Sequence, residues 1–384
     1  MSKSQITINS RLPQSGTTIF TVMSRMASEA NAINLGQGFP DFDCDDKLIR
    51  LVKKHLEEGK NQYAPLAGVP KLLKTIGKKI KQMYDLTIDP HSQICVTAGA
   101  TQALQTAMMA FVREGDEVIL FEPAYDSYYS QILVAGGTPV PYTMTYPDYE
   151  INWNRVKDMI TEKTRMVIIN TPHNPTGTIL RKEDLEALVD IVSGKNIIVL
   201  SDEVYEHLIY DGEEHQSVMR YPSLFKQSMA VFSFGKTLHT TGWKLGYIVG
   251  PDVLINEFKR LHQWNVFCTN SFLQFAIADY LEDPETYEYL PGFFEKKRDL
   301  MTELFKDTSL QARNSEGTYF QLYNYEKIRS DDDITFSKYL TTQVGVAVIP
   351  LSPFYTHPPG DKVIRLCFAK KDETLQAAAE KLKL

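Results

Sequence analysis

The sequence predicts an α/β protein: a large domain built on a mostly parallel sheet between helix layers, and a smaller α+β domain. Three observations carry that prediction. Between about residues 90 and 250, short apolar runs alternate with Gly/Pro or polar turns and helical stretches. Most of the runs are rich in Val and Ile and apolar on both faces, as strands covered by helices on both sides are. Past about residue 285 the pattern becomes a charged helical segment, three strand-like pieces and a short last helix.

The elements follow in order. Residues 1–45 form an N-terminal segment with too little core to stand alone, expected to pack on the small domain. Residues 46–284 form the large domain. Its strands are expected in "QICVTAG" (93–99), "DEVILFEP" (116–123), "TRMVIINTP" (164–172), "NIIVLSDE" (196–203), "MAVFSFG" (229–235) and "KLGYIVG" (244–250). Helices are expected between them, as in Thr101–Val112 and Lys182–Val192. Residues 285–384 form the small domain, with strands in "GTYFQLYNY", "GVAVIPL" and "VIRLCFA". Neither an internal repeat nor a low-complexity tract interrupts the chain.

Composition excludes several classes of function. The 41 basic and 48 acidic residues leave a net charge of −7, against the basic face that nucleic-acid binding needs. Lys71, Lys74, Lys78, Lys79 and Lys81 have helical spacing and read as a solvated helix face. No apolar run is long enough to span a bilayer, and the polar N-terminus lacks the apolar stretch of a signal peptide. The four cysteines, Cys44, Cys95, Cys268 and Cys367, are isolated. They suggest neither a disulfide framework nor a metal site, and a reducing cytoplasm is the expected location.

Ligands of open α/β sheets sit beyond the carboxyl ends of the strands. Five runs end in unusual polar chemistry. After "ICVT", Gly99, Ala100 and Thr101 open a helix whose free N–H groups suit a phosphate; a tight turn needing Gly99 explains them equally well. After "VILF", Tyr125 could stack on a flat ligand or belong to the core. After "MVIIN", the turn Pro172–Gly177 can aim Asn174 inward, although Asn-Pro turns are common. After "IIVLS" come Asp202 and Tyr205. Asp202 reads either as a helix cap or, with more weight, as a buried carboxylate that needs a cation. After "AVFSF" come Gly235, Lys236, Thr237 and, further on, Lys244.

The triplet Gly235-Lys236-Thr237 imitates the end of a phosphate-binding P-loop. That motif requires Gly at position 230, which is Ala230. "GQGFPD" (36–41) follows no convincing strand and is not a dinucleotide fingerprint. One ligand accounts for all five clusters. It has a phosphate for the helix amides, Ser233 and Lys244, and a flat ring for the aromatic. It also has a cationic group for Asp202, an oxygen for Asn174 and Tyr205, and a carbonyl for Lys236. Pyridoxal 5′-phosphate has all of these.

At these residues the chain resembles the class I/II pyridoxal-phosphate-dependent aminotransferases of fold type I. The resembling motifs are "NLGQGFPDF" (34–42), "NQYAPLAG" (61–68), "VTAGATQAL" (96–104), "EPAYDSY" (122–128), "NTPHNPTG" (170–177), "SDEVYEH" (201–207), "SFGKTLHTTGWKLGY" (233–247) and "IRLCFAKK" (364–371). They occur in family order over nearly the whole chain, and the nearest group is the kynurenine–glutamine and bacterial methionine aminotransferases. The resemblance implies a seven-stranded-type sheet and a homodimer. Lys236 would bond to the cofactor's aldehyde carbon and move the proton. Asp202 would pair with the ring nitrogen, Asn174 and Tyr205 would bond the ring oxygen, and Tyr125 would stack on the ring. Gly99, Ala100, Thr101, Ser233 and Lys244 would hold the phosphate, with Tyr63 reaching in from a second subunit. Arg365, Asn174 and the Gly38 backbone would hold the substrate carboxylate, while Phe20 and Phe267 would line the side-chain pocket.

Two departures bear on this. Many relatives have Arg where Lys244 stands, which leaves a point contact to phosphate in place of a forked one. Relatives favouring kynurenine often carry His at the position of Cys268 and an aromatic near Thr101, so their absence disfavours kynurenine as the main substrate. The expected reaction is ping-pong transfer of the amino group of methionine, glutamine or an aromatic amino acid to a 2-oxo acid. The alternatives on the same scaffold are a cysteine-S-conjugate β-lyase and a kynurenine aminotransferase. A regulator with an aminotransferase-like sensor would need a DNA-binding domain ahead of Asn34, where the sequence leaves little room.

Overall fold

The structure, a computed structural model, describes residues 9–12 and 16–383; residues 1–8 and 13–15 of the N-terminal segment therefore lie outside the described part. Its centre is a seven-stranded sheet of β2 (Ile94–Thr97), β3 (Glu117–Glu122), β4 (Thr138–Thr143), β5 (Thr164–Asn170), β6 (Ile198–Asp202), β7 (Ser228–Ser233) and β8 (Gly246–Val249). Their spatial order is β2-β8-β7-β6-β5-β3-β4, with β1 (Ile33–Asn34) outside this sheet. Only β8 runs against its neighbours, β2 and β7; the other pairings are parallel. The expected mostly parallel sheet is therefore present.

The two-faced apolar runs explain how it is covered. In β3, Val118 and Leu120 join one buried cluster while Ile119 and Phe121 join another. Met166 and Ile168 of β5 alternate with Val167 and Ile169 in the same way, so both faces of the sheet are core. β4 was not among the expected strands. Its sequence "TPVPYT" carries two prolines, which an edge position tolerates because one row of N–H groups is unpaired there.

Helices Pro70–Tyr84, Ala100–Phe111, Lys182–Val192, Asp252–Asn265 and Ser271–Tyr280 flank the sheet region. The second sheet is antiparallel. It contains β9 (Gln311–Arg313), β10 (Phe320–Asn324), β12 (Ile349–Pro350) and β13 (Val363–Cys367), in the order β12-β13-β10-β9. β1 pairs in parallel with β11 (Val346–Ala347), joining the N-terminal segment to the C-terminal region. Among the described residues, no helix is long and apolar enough to cross a membrane.

One expectation is overturned. Lys79 is 5% exposed, so the lysines of helix Pro70–Tyr84 do not all lie on a solvated face. The helix packs against the sheet, and at this register Lys79 points inward. Its ammonium pairs with Glu206 and donates to Tyr247 Oη at 3.1 Å, while Tyr84 Oη donates to Glu206 at 2.6 Å. Burial lowers the Lys79 pKa, with Glu206 acting against that effect.

Candidate active site

The last residues of four parallel strands are polar: Glu122 on β3, Asn170 on β5, Asp202 on β6 and Ser233 on β7. That edge opens into a cavity of about 180 Å³. Gly99, Ala100, Thr101, Tyr125, Asn174, Asp202, Tyr205, Ser233, Lys236 and Lys244 all line it. The structure thus brings together ten of the residues singled out in the sequence, drawn from the segments at the carboxyl ends of five strands. A larger cavity of about 480 Å³ lies past His173, with Arg181, Arg313 and several carboxylates, but it contains only Asn170 from the site's walls.

One end of the cavity is built for an anion. Gly99 adopts φ +77°, a left-handed conformation that suits glycine, and turns β2 directly into helix Ala100–Phe111. Among the described residues, no side chain caps this helix, which leaves its first-turn N–H groups free for an acceptor. Lys244 approaches the same turn, its Nζ within 3.6 Å of where a Cβ on Gly99 would sit.

Asp202 is a buried carboxylate in an apolar strand end. Its Oδ2 accepts from Tyr128 Oη at 2.6 Å and its Oδ1 from the Val204 N–H at 3.3 Å. Burial raises its pKa to about 6, partly offset by those two donors and by the Lys236 charge. It is not a helix cap: a turn follows it, not a helix. Asn170 braces the neighbourhood by donating to the Asp202 carbonyl at 2.8 Å and accepting from the Asn174 N–H at 2.9 Å.

Lys236 stands within the short helix Phe234–Thr237 that follows β7. Its Nζ donates to Tyr319 Oη at 2.8 Å and to the Gly38 carbonyl at 3.0 Å. Burial lowers its pKa to about 8, with Asp202 and Cys367 acting against that effect and Arg365 and Lys244 adding to it.

Arg365 on β13 meets the rim. Nη1 donates to Asn174 Oδ1 at 2.7 Å and Nη2 to the Gly36 carbonyl at 3.1 Å. Its guanidinium lies 3.8 Å from the Phe320 ring centre, with Phe20 at 5.2 Å and Phe354 at 5.4 Å. Burial lowers its pKa to about 10, so it remains a cation at neutral pH. Among the described residues, Arg365 Nε has no partner.

Tyr63 and Phe267 are not brought to the cavity wall. They meet each other edge to face at 5.2 Å and are 83% and 44% exposed. Four residues of the neighbourhood went unassigned in the sequence: Tyr128, Asn170, Tyr319 and Phe320. Tyr128 and Asn170 lay inside quoted motifs; Asn170 ends β5 and Tyr128 stands in the first turn of the helix that follows β3, and those positions were the available signal. Tyr319 and Phe320 come from the C-terminal region, and only the packing of β10 near Gly38 reveals them.

A family model described as "Aminotransferase class I and II" matches residues 30–382. The chain is 45% identical over 384 residues to a methionine aminotransferase of Escherichia coli, covering all of both chains. Its structure superposes on the crystal structure of the Escherichia coli protein YbdL, described as having a methionine aminotransferase function. The TM-score is 0.97 at 45% identity, with 99% of this chain and 100% of that one covered. An N-succinyldiaminopimelate aminotransferase from Mycobacterium tuberculosis matches with TM-score 0.94 at 33% identity, covering 98% and 99%.

Proposed function

The chain belongs to the class I and II aminotransferase family, and from that premise we propose that it uses pyridoxal 5′-phosphate, held by the cavity residues above, with methionine as an amino donor. It is an aminotransferase, so amino acids and 2-oxo acids are its substrates.

The donor set fits this cofactor. The uncapped helix start at Ala100 and Thr101 supplies N–H groups for a phosphate, with Ser233 and Lys244 beside it. Asp202, buried with no ion pair among the described residues, is matched by a protonated ring nitrogen. Asn174 and Tyr205 offer hydrogen bonds to the ring oxygen, and Tyr125 offers a stacking face. The observation that carries the reading is that one cavity joins Lys236, Asp202 and that free helix start.

When bound, the cofactor supplies an electrophilic carbon for amines and a ring that accepts electrons as the substrate's Cα–H bond breaks. Everything else falls to the chain. Lys236, its pKa lowered by burial, serves first as the amine that anchors the cofactor. Once displaced by substrate, it would take the Cα proton at Nζ and hand it on to the cofactor's electrophilic carbon. Asp202 keeps its partner protonated; Tyr128 holds that carboxylate in line, and Asn170 braces the Asp202 backbone carbonyl. Arg365 and Asn174 hold the α-carboxylate common to both substrates, for which the Arg365 Nε donor is free. The 2-oxo acid leaves before the second substrate binds, which makes the kinetics ping-pong.

Two features support an apolar donor. Phe20 and Phe354 crowd the guanidinium, meeting edge to face at 5.7 Å, and the Escherichia coli relative named above is a methionine aminotransferase. The exposed pair Tyr63 and Phe267 is available to a second copy of the chain, which supports a homodimer with Tyr63 reaching the phosphate across the interface.

The test is borohydride reduction of the purified holoenzyme followed by peptide mass spectrometry, together with a panel of amino donors against several 2-oxo acids. The cofactor mass is expected on the peptide of Lys236, with methionine among the faster donors. Label on another lysine, or no turnover with methionine, would overturn the reading.

A further inference from the structure

Tyr319 immediately precedes β10 and is fully buried. Its ring is fixed on several sides: Phe320 packs at 4.9 Å, Tyr205 edge to face at 5.2 Å, and Phe294 at 5.9 Å. Its backbone carbonyl accepts from the Phe368 N–H at 2.9 Å, which anchors the residue beside β13. The phenol O–H donates to the Gly38 carbonyl, and the phenol oxygen accepts from Lys236 Nζ at 2.8 Å. Gly38 cannot carry a side chain here, since a Cβ would lie 2.5 Å from Phe320 Cζ. The carbonyl and the phenol are therefore a rigid pair of acceptors facing one amine.

A neutral primary amine has two N–H bonds and one lone pair. The Gly38 carbonyl takes one N–H, at 3.0 Å, and Tyr319 Oη takes the other. The remaining tetrahedral position is the lone pair, turned away from both acceptors. An ammonium would have a third N–H in that position.

We infer that Tyr319 is a positioning residue of the transfer reaction: with the Gly38 carbonyl it holds the released Lys236 amine by its two N–H bonds and leaves the lone pair free to take the substrate's Cα proton. The inference rests on the role proposed above for Lys236. Around that amine stand Asp202 from β6, Tyr205 from the following turn, Lys244, and Arg365 and Cys367 from β13. Among the described residues, Tyr319 is the side chain that gives this amine a hydrogen bond acceptor. Burial of the amine makes its neutral form accessible near physiological pH, which is the form the cradle fits.

Tyr319→Phe keeps the ring and removes the acceptor. In the holoenzyme, kcat is expected to fall by about tenfold or more, because a misaligned base loses part of its usual contribution. KM for both substrates should stay within about twofold, and the isotope effect of a Cα-deuterated donor should rise as proton removal becomes rate-limiting. In the cofactor-free protein, the pH midpoint for reductive methylation of Lys236 should move down, since losing an acceptor disfavours the ammonium. If Tyr319→Phe does not fold, Tyr319→Leu gives an apolar side chain without an acceptor and is held to the same outcomes.

Unchanged kcat and midpoint, with borohydride label still on Lys236, would overturn this inference alone. A rise in KM with kcat intact would also overturn it, by assigning Tyr319 to substrate binding. Absence of label from Lys236 in the wild-type protein would overturn both this inference and the function it rests on.

Discussion

Arg365 Nη1 donates to Asn174 Oδ1 across 2.7 Å, so a strand of the antiparallel sheet and the turn after β5 share a hydrogen bond at the rim of the cavity. A guanidinium is planar and forked, and here its centre lies 3.8 Å from the Phe320 ring centre. Arg365→Lys keeps the charge but loses the fork. A charge-assisted hydrogen bond contributes about 1.5–3 kcal/mol, so kcat/KM should fall roughly 10- to 150-fold. Steady-state kinetics with two donors of different side chain should give equal losses, because both present the same carboxylate. A loss confined to one donor would contradict the assignment.

Lys236 is expected to react as an amine well below the pH that surface lysines need. Burial lowers its pKa to about 8 from an ordinary 10.5. In the cofactor-free protein, its reductive methylation, followed by peptide mass spectrometry, should rise through about pH 8. Exposed lysines should rise two units or so later. A Lys236 profile that tracks theirs would count against the buried geometry.

Asp202 should weaken the cofactor-free protein at neutral pH. Its folded pKa is raised to about 6 against an ordinary 3.8, so the native state binds more protons than the unfolded one between those values. Stability therefore falls as pH rises through that window, and the full cost is present above about pH 6. Asp202→Asn retains an acceptor for Tyr128 and removes the charge. It should stabilise the cofactor-free protein by about 2–3 kcal/mol at pH 7, with the gain vanishing near pH 4. Denaturant melts at several pH values check this, and a gain independent of pH would refute it. Turnover should fall in the same variant.

Lys79 and Glu206 form a buried pair behind the site, joined by Tyr84 and Tyr247. Lys79→Met leaves Glu206 with a buried, unpaired charge and should cost about 3–5 kcal/mol of stability. Adding Glu206→Gln should restore much of it, because the stranded charge is then gone. Thermal melts of the single and double variants decide this; equal losses in both would mean that the charge pair is not the cause.

Much of the site could be read from the chain because each cluster follows an apolar run. Asp202 after "IIVLS" and Lys236 after "AVFSF" are conspicuous because burying such groups is costly without a partner. Lys79 was misread because helical spacing says which residues share a face, not which face meets the sheet. Tyr319 and Phe320 gave no local signal, since a Tyr-Phe pair at a strand start is ordinary core.

By itself, the sequence determined the two-faced apolar strands, hence a helix-covered sheet with its polar chemistry at one edge. It also determined two individual groups, one lysine and one carboxylate, whose burial demands partners, while the arginine followed only from the family resemblance. Only the tertiary structure decided which groups meet. Arg365 reaches Asn174 because β13 pairs with β10 beside the large sheet's edge, and Lys236 finds its two acceptors because Gly38 and Tyr319 arrive from opposite ends of the chain. Periodicity and propensity act over a few residues, whereas these contacts depend on how distant segments pack, which local patterns do not encode.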